Sequence, residues 1–301
     1  MPKVLITGAS GLLGRAILRH FNQAGWATLG LAFSRAKEPL KKVDLTNKEE
    51  VRAVFENFKP DVVVHSAAER RPNKVEEDLE QSHRLNVDSS AHIAALAKES
   101  KAGLIFISTD YAFDGSNPPY AEDAPPNPIN TYGKTKVAAE KVIIETYPEG
   151  SSILRVPVLY GDEEYLGESA VSVLAKLLLS PQPGSVSSYE LRFPSHTSDV
   201  ATVCLQLASR CVQDGGDTIR GIYHWCGDEG LTKWDMVQLM GTEFGKSTAH
   251  LTPCATPSPD VPRPRDTQLQ RSRLEALGIG QHTPFQQGVR STLAPFLLPA
   301  N

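Results

Sequence analysis

The chain has 301 residues, 40% of them hydrophobic and 22% charged, with a formal net charge of −4. That length buries a large core and suits one sizeable α/β unit with a smaller appended part. The balanced charge lacks the clustered basic excess of a nucleic-acid binder and leaves a small molecule or a protein as the expected partner, while four scattered cysteines (Cys204, Cys211, Cys226, Cys254), with no C-x-x-C pair, indicate neither zinc nor a disulfide framework.

The first run, KVLIT (residues 3–7), reads as a strand and opens directly into GASGLLG, which sets Gly8, Gly11 and Gly14 at three-residue intervals before a helix over 12–24. In a strand-turn-helix setting the first glycine permits the tight turn, the second lets main chain approach a pyrophosphate, and the third lets helix and strand pack closely. The phosphate then rests on amide donors at the helix N-terminus. Thr7, Gly8, Ser10, Gly11, Leu12, Leu13 and Gly14 are therefore the expected dinucleotide-binding residues of this segment.

The second strand, ATLGLAF (27–33), ends in Phe33, Ser34 and Arg35, without the acid that usually holds free ribose hydroxyls. A guanidinium suits a 2′-phosphate, which favours NADP(H) over NAD(H), although Arg35 also reads as a solvated loop residue. A weaker strand at 42–45 carries Asp44 and Leu45, and Asp44 is placed either to contact the adenine or to cap the helix over 48–58. The strand 62–67 ends at Ala67 and Ala68 and leads into Glu69, Arg70 and Arg71, after which a long helix over 81–100 contains Asn86.

The strand 104–109 ends in Ser108 and Thr109, at the edge of a parallel sheet where a substrate-holding hydroxyl belongs. A proline-rich loop with a turn at Asp114 and Gly115 follows, then a helix over 132–147, capped by Asn130 or Thr131, that carries Tyr132 and Lys136 one turn apart on one face. Lowering a tyrosine from its usual value of about 10 by roughly three units takes about 4 kcal/mol, and a neighbouring ammonium is a natural source. A strand over 152–160 includes Arg155, which joins the expected cofactor set.

Beyond it the pattern is less regular, with helices over 169–179, 200–210 and 232–244, a strand at 221–226 and a second proline-rich loop, TPCATPSPDVPRPR. The alternation implies a Rossmann doubly wound parallel sheet in an NADP-binding part, residues 1–160, to which the chain returns near 185–210, and a smaller α/β lobe over 161–301 for substrate or partner. In that lobe Arg192, His196, Arg263 and Arg265 read equally as diphosphate ligands or as salt bridges pinning the lobe, with Asp199 offered as a partner for Arg192. His224 and Trp225 read as packing residues. A strand that starts at Lys3 leaves no room for a leader, and no apolar stretch approaches transmembrane length, so a cytoplasmic location is expected, a nuclear fraction being compatible.

TGASGLLG, HSAA, LNV, STDYAFDG, YGKTK, RFPSHTSDVA and RPRDTQL together resemble an extended short-chain dehydrogenase/reductase, and within that superfamily the dTDP-4-dehydrorhamnose reductase branch. The resemblance implies Thr109 as catalytic hydroxyl, Tyr132 as proton donor, Lys136 as assisting lysine, Asn86 as a structural or relay residue, and Ala67 and Ala68 beside the nicotinamide ribose. The AERRP loop departs from the sugar reductases. With LNVD, ILRVPVLYG, RFPSHTSDVATVC, HWCGDEGLTKWDM and LGIGQHTPF it is similar to the regulatory beta subunits of methionine adenosyltransferase. That likeness implies an NADP(H)-binding, non-catalytic regulator in a hetero-oligomer with the catalytic alpha subunit. An NADPH-dependent reductase of a 4-keto sugar nucleotide is the second reading, and a cofactor-sensing scaffold the third. This chain stops at LLPAN where those regulators continue into a polar and aromatic tail, so altered docking is expected.

Overall fold

The computed structural model describes residues 1–213, 219–258 and 260–298. Its first half runs β1 (Lys3–Thr7), α1 (Leu12–Gln23), β2 (Ala27–Ala32), β3 (Lys41–Lys42), α2 (Lys48–Phe58), β4 (Val62–His65), α3 (Pro72–Glu77), α4 (Leu79–His83), α5 (Ser89–Ser100), β5 (Gly103–Thr109), α6 (Thr131–Thr146) and β6 (Ser151–Val156). The second half adds β7 (Leu159–Tyr160), α7 (Ser172–Leu179), β8 (Gly184–Ser187), β9 (Ser195–His196), α8 (Thr197–Gln213), β10 (Gly221–His224), α9 (Lys233–Phe244), β11 (Leu251–Cys254), α10 (Ser272–Ala276) and α11 (Phe285–Leu297).

Seven strands form one parallel sheet in the order β10-β6-β5-β4-β1-β2-β3, a doubly wound, Rossmann-like arrangement. Its central strands are buried along their whole length, as in the VVVH run of β4, because helices cover both faces. On one face α1 and α8 close over Val4, Ile6, Ile17, Phe21 and Leu207; on the other α2, α5 and α6 close over Leu5, Val63, Phe106, Ile93 and Ile143. A separate core of Tyr160, Leu174, Val237, Phe285 and Leu293 unites β7, α7, α9 and α11 in the smaller lobe.

Register decides where the strands end. Thr7 is level with His65, and His65 with Phe106, so β5 runs three residues past β4 and carries Ser108 and Thr109 to the rim. The strand expected over 152–160 divides, since Pro157 has no amide for the ladder: β6 stays in the central sheet while β7 pairs with β9. The helix expected over 81–100 divides as well, into α4, a π turn over Arg84–Asp88, and α5. The weak strand expected over 42–45 is observed one residue earlier and shorter, as Lys41–Lys42, and α8 extends beyond 200–210 at both ends. Residue 259 of the second proline-rich loop and the final residues 299–301 lie outside the described residues.

One ion pair fastens α6 to the sheet. The Arg155 guanidinium on β6 donates from Nε to Glu140 Oε1 at 3.0 Å and from Nη2 to Oε2 at 2.6 Å, and neither side chain is more than 4% exposed. Ser108 on β5 donates to the same carboxylate, and Arg155 lies 5.1 Å from the Phe113 ring. Removing one member leaves the other charge buried without a counter-ion, which costs about 3–5 kcal/mol. Glu140→Gln is expected to lower unfolding free energy by that amount in urea titration. A loss below about 1 kcal/mol would show that the pair is not a structural anchor.

Candidate cofactor and substrate cleft

The glycine-rich turn leaves no room for other side chains. Gly8 sits at φ +67°, in the left-handed region, and a Cβ there would come within 2.9 Å of the Ala67 main chain. A Cβ on Gly14 would stand 2.1 Å from the Gly8 carbonyl, so α1 and β1 touch main chain to main chain. Helix α1 has Gly11 as its N-cap and no capping side chain, which leaves its first amides open to an anion. This is the cradle that a dinucleotide pyrophosphate requires, and Phe33, 58% exposed at the end of β2, offers a flat apolar surface beside it.

Thr7 and Asn86 organise the rim of β1 and β4. The Thr7 hydroxyl meets His65 Nδ1 at 2.6 Å and accepts from the amides of Ser66 and Ala67, while His65 Nε2 meets Ser90 Oγ at 2.9 Å. Burial, and secondarily the charge of Lys136, hold His65 neutral, its pKa pushed down to about 3. The π turn carries Asn86 to the next loop, where Oδ1 accepts from Glu69 N at 2.9 Å and Nδ2 donates to Glu69 O at 3.1 Å and Thr135 Oγ1 at 3.2 Å. Asn86 thus fixes the main chain that follows Ala67 and Ala68.

Tyr132 and Lys136 enter from α6, capped by Asn130, whose Oδ1 accepts from Gly133 N at 2.8 Å. Gly133 allows α6 to rest on the Tyr111 carbonyl, where a Cβ would come to 2.3 Å. Burial raises the Tyr132 pKa well above its ordinary value, an effect that the Thr109 hydroxyl only partly opposes. Lys136 is turned inward instead of toward the phenol: its ammonium donates to the Ile107 carbonyl at 2.7 Å and lies 3.8 Å from the Phe106 ring centre. Burial brings its pKa down to about 7, against the pull of Glu140. The expected lowering of the tyrosine by the lysine is thus replaced, in this arrangement, by desolvation of both groups.

The other expected residues divide into rim and interior. Arg35 is 44% exposed on its side chain and faces Glu164 and Glu168, each at 3.3 Å. Ser34 is exposed beside it and Leu45 is buried. Asp44 makes a local turn through the Thr46 amide and hydroxyl, and the residue that caps α2 is Asn47. Arg70 donates to the Glu168 carbonyl at 2.8 Å, and Glu69 pairs with Arg71 at 2.8 Å. Arg155 stands apart from this rim, its guanidinium committed to Glu140 inside the sheet with no surface open to a ligand. Arg15 was missed by the sequence reading, although it directly follows Gly14. Its guanidinium grips Glu168 at 2.9 and 2.7 Å and donates to the Ser10 carbonyl at 3.0 Å.

Across the cleft, Arg192 stacks 5.6 Å from the Tyr111 ring and donates to the carbonyls of Leu191 and Pro264. Asp199 bonds Thr283 through both carboxylate oxygens and so does not serve Arg192, which corrects the salt bridge expected between them. Burial, then the charges of Arg263 and Arg192, lower the pKa of Lys233, a further cation on this side. Asp110 is buried with its carboxylate on Thr267, and burial raises its pKa despite that bond. Trp225 and His224 are packed in the interior, and Asp114 accepts from Ser116, Tyr120 and Asn127 to form its turn. Among the described residues no group of His, Cys, Asp and Glu is arranged to hold a metal, and no helix is long and apolar enough to cross a membrane.

A family model described as RmlD substrate binding domain matches residues 2–298. The chain belongs to this family. It is 46% identical over 298 residues to methionine adenosyltransferase 2 subunit beta of Xenopus laevis, a match that covers 98% of this chain and 88% of that protein. The corresponding protein of Danio rerio is 43% identical over 300 residues, 98% and 91% of the two chains. Among solved structures of the RmlD fold, dTDP-4-dehydrorhamnose reductase of Bacillus anthracis in complex with NADP superimposes with a TM-score of 0.85 at 24% identity, covering 98% and 99% of the two chains.

The inward Lys136 has a pH signature. Unfolding raises its pKa from about 7 to the ordinary 10.5, so between those values the unfolded chain binds the extra proton and stability rises with pH. Relative to Lys136→Met, the native protein is expected to gain up to about 1.4 kcal/mol per pH unit between pH 7 and 9, read from paired chemical denaturation curves. A constant difference across that range would show a lysine that remains charged when folded.

Proposed function

We propose that the protein is an NADP(H)-binding regulatory subunit that associates with the catalytic subunit of methionine adenosyltransferase and modulates S-adenosylmethionine synthesis in the cytoplasm. The observation that carries this reading is the 46% identity to methionine adenosyltransferase 2 subunit beta sustained over 98% of the chain. The cleft supports the cofactor half of the proposal. Gly8, Gly11 and Gly14 accept the pyrophosphate, Phe33 and Arg35 face the adenosine end, and Ala67, Ala68 and Tyr132 face the nicotinamide ribose, with Asn86 holding the loop between them and Lys136 supporting the rim from its inward position on the Ile107 carbonyl. In this reading residues 1–160 retain the cofactor, and the lobe over 161–301 contributes surface to the partner. The expected outcome is co-elution of this chain with the catalytic subunit at micromolar concentrations, and a change of about fivefold in that subunit's substrate affinity, the usual scale of coupling between sites. Separate elution with unchanged kinetics would refute the association.

Thr109 and Tyr132 at the rim of β5 favour a second reading, NADPH-dependent reduction of a carbonyl such as a 4-keto sugar nucleotide. A bound nicotinamide would supply the hydride, while the chain's contribution would be a phenol proton held beside the Thr109 hydroxyl. Under this reading, Tyr132→Phe is expected to cut NADPH oxidation by dTDP-4-keto sugars about 10²- to 10⁴-fold. Turnover that survives the change would remove Tyr132 from the chemistry.

A further inference from the structure

Between β7 and α7 the chain runs Gly-Asp-Glu-Glu-Tyr-Leu-Gly-Glu over residues 161–168, and four arginines from three different parts of the cofactor cleft converge on it. Arg15 comes from the first turn of α1, Arg35 from the end of β2, and Arg70 from the loop after β4. Arg15 holds the Glu168 carboxylate through both terminal nitrogens, at 2.9 and 2.7 Å, while donating to the Ser10 carbonyl of the glycine-rich turn. Arg70 holds the Glu168 main chain at 2.8 Å, and Arg19 pairs with Asp162 at 2.7 Å. Arg35 is bound less tightly, at 3.3 Å from both Glu164 and Glu168, with its side chain 44% exposed.

We propose that residues 162–168 are an acidic strap across the cofactor cleft, in which Glu164 and Glu168 compete with the 2′-phosphate of NADP(H) for Arg35. The inference rests on the reading of this cleft as a dinucleotide site. Two contrasts support it. Glu168 is nearly buried and gripped by two terminal nitrogens of Arg15, a contact that an incoming ligand does not displace cheaply, whereas the Arg35 contacts are single, longer and half-solvated. A phosphate dianion arriving at Arg35 also meets the carboxylate of Glu164, whose side chain is 54% exposed and is held by one oxygen only, at 3.3 Å from Arg35 and 3.4 Å from Arg15. The exchange therefore takes place at the outer end of the strap: the phosphate takes the guanidinium, Glu164 swings to solvent, and the inner end stays on Arg15. Since the strap leads directly into α7, cofactor occupancy reaches the smaller lobe by this route, and NAD(H), lacking the phosphate, leaves the strap as it is.

The test measures Kd for NADP+ and NAD+ by isothermal titration calorimetry on the full chain, native and Glu164→Gln, with amide hydrogen exchange over 162–170. Glu164 lies on the surface, so its replacement does not endanger folding. The variant is expected to bind NADP+ about fivefold more tightly with NAD+ affinity unchanged, and NADP+ but not NAD+ is expected to speed exchange in the strap of the native protein. An unchanged ratio of the two affinities, or slower exchange in the strap with NADP+, would overturn the competition while leaving the cofactor reading intact. No binding of either dinucleotide would overturn both.

Discussion

The buried contact between Arg155 and Glu140 sets the geometry on which the cleft depends. Tyr132, Lys136 and Glu140 follow one another at four-residue intervals on α6, so they share one helix face. Anchoring Glu140 to β6 and to Ser108 of β5 sets the height and rotation of that face over the rim. The phenol then meets the Thr109 hydroxyl and the ammonium meets the Ile107 carbonyl, one residue before Ser108. A carboxylate so deep in the fold also lessens the penalty of burying Lys136 close by. The charges of Arg155 and Glu140 are thus kept in the interior by each other, and neither is stable there alone.

The fold was largely legible because its signals are local. A glycine every third residue after an apolar strand, β-branched runs of five to seven residues, and amphipathic helices of ordinary length led to the parallel sheet directly. The failures occurred where one residue alters a regular pattern. Pro157 reads as part of an apolar run yet ends β6, and the extra residue of the π turn around Asn86 leaves no trace in hydrophobic periodicity. Short elements such as α10 and β9 gain their stability from tertiary packing, so propensity gives them no signature.

The site was legible in kind and less so in its charges. The spacing of Tyr132 and Lys136 located a face, but the direction of the lysine depended on its surroundings: Phe106, Ile107 and Glu140 draw it inward. Arg155 was expected among the cofactor residues, whereas alternation along β6 points it into the helix layer toward Glu140. The partners of Arg15 and Arg35 lie more than a hundred residues away in sequence, beyond the reach of any local pattern. The result is a cleft with two unlike sides, acids paired with arginines across the glycine-rich turn and cations around Tyr111.

The seventh strand carries a consequence for the order of assembly. Among the described residues β10 pairs with β6 on its outer side, and α8 covers α1, with Ser198 reaching His20 at 3.0 Å. Both elements come from beyond residue 196, so a chain emerging from its N-terminus has made the entire glycine-rich turn while one edge of its sheet and the apolar face of its first helix are still bare. Such an edge is a template for pairing with other chains until the later segment arrives. The dinucleotide cradle is local in sequence, but it becomes a finished surface only once about three quarters of these 301 residues have been made, and a fragment cut after β7 would carry the motif without the support that holds it closed.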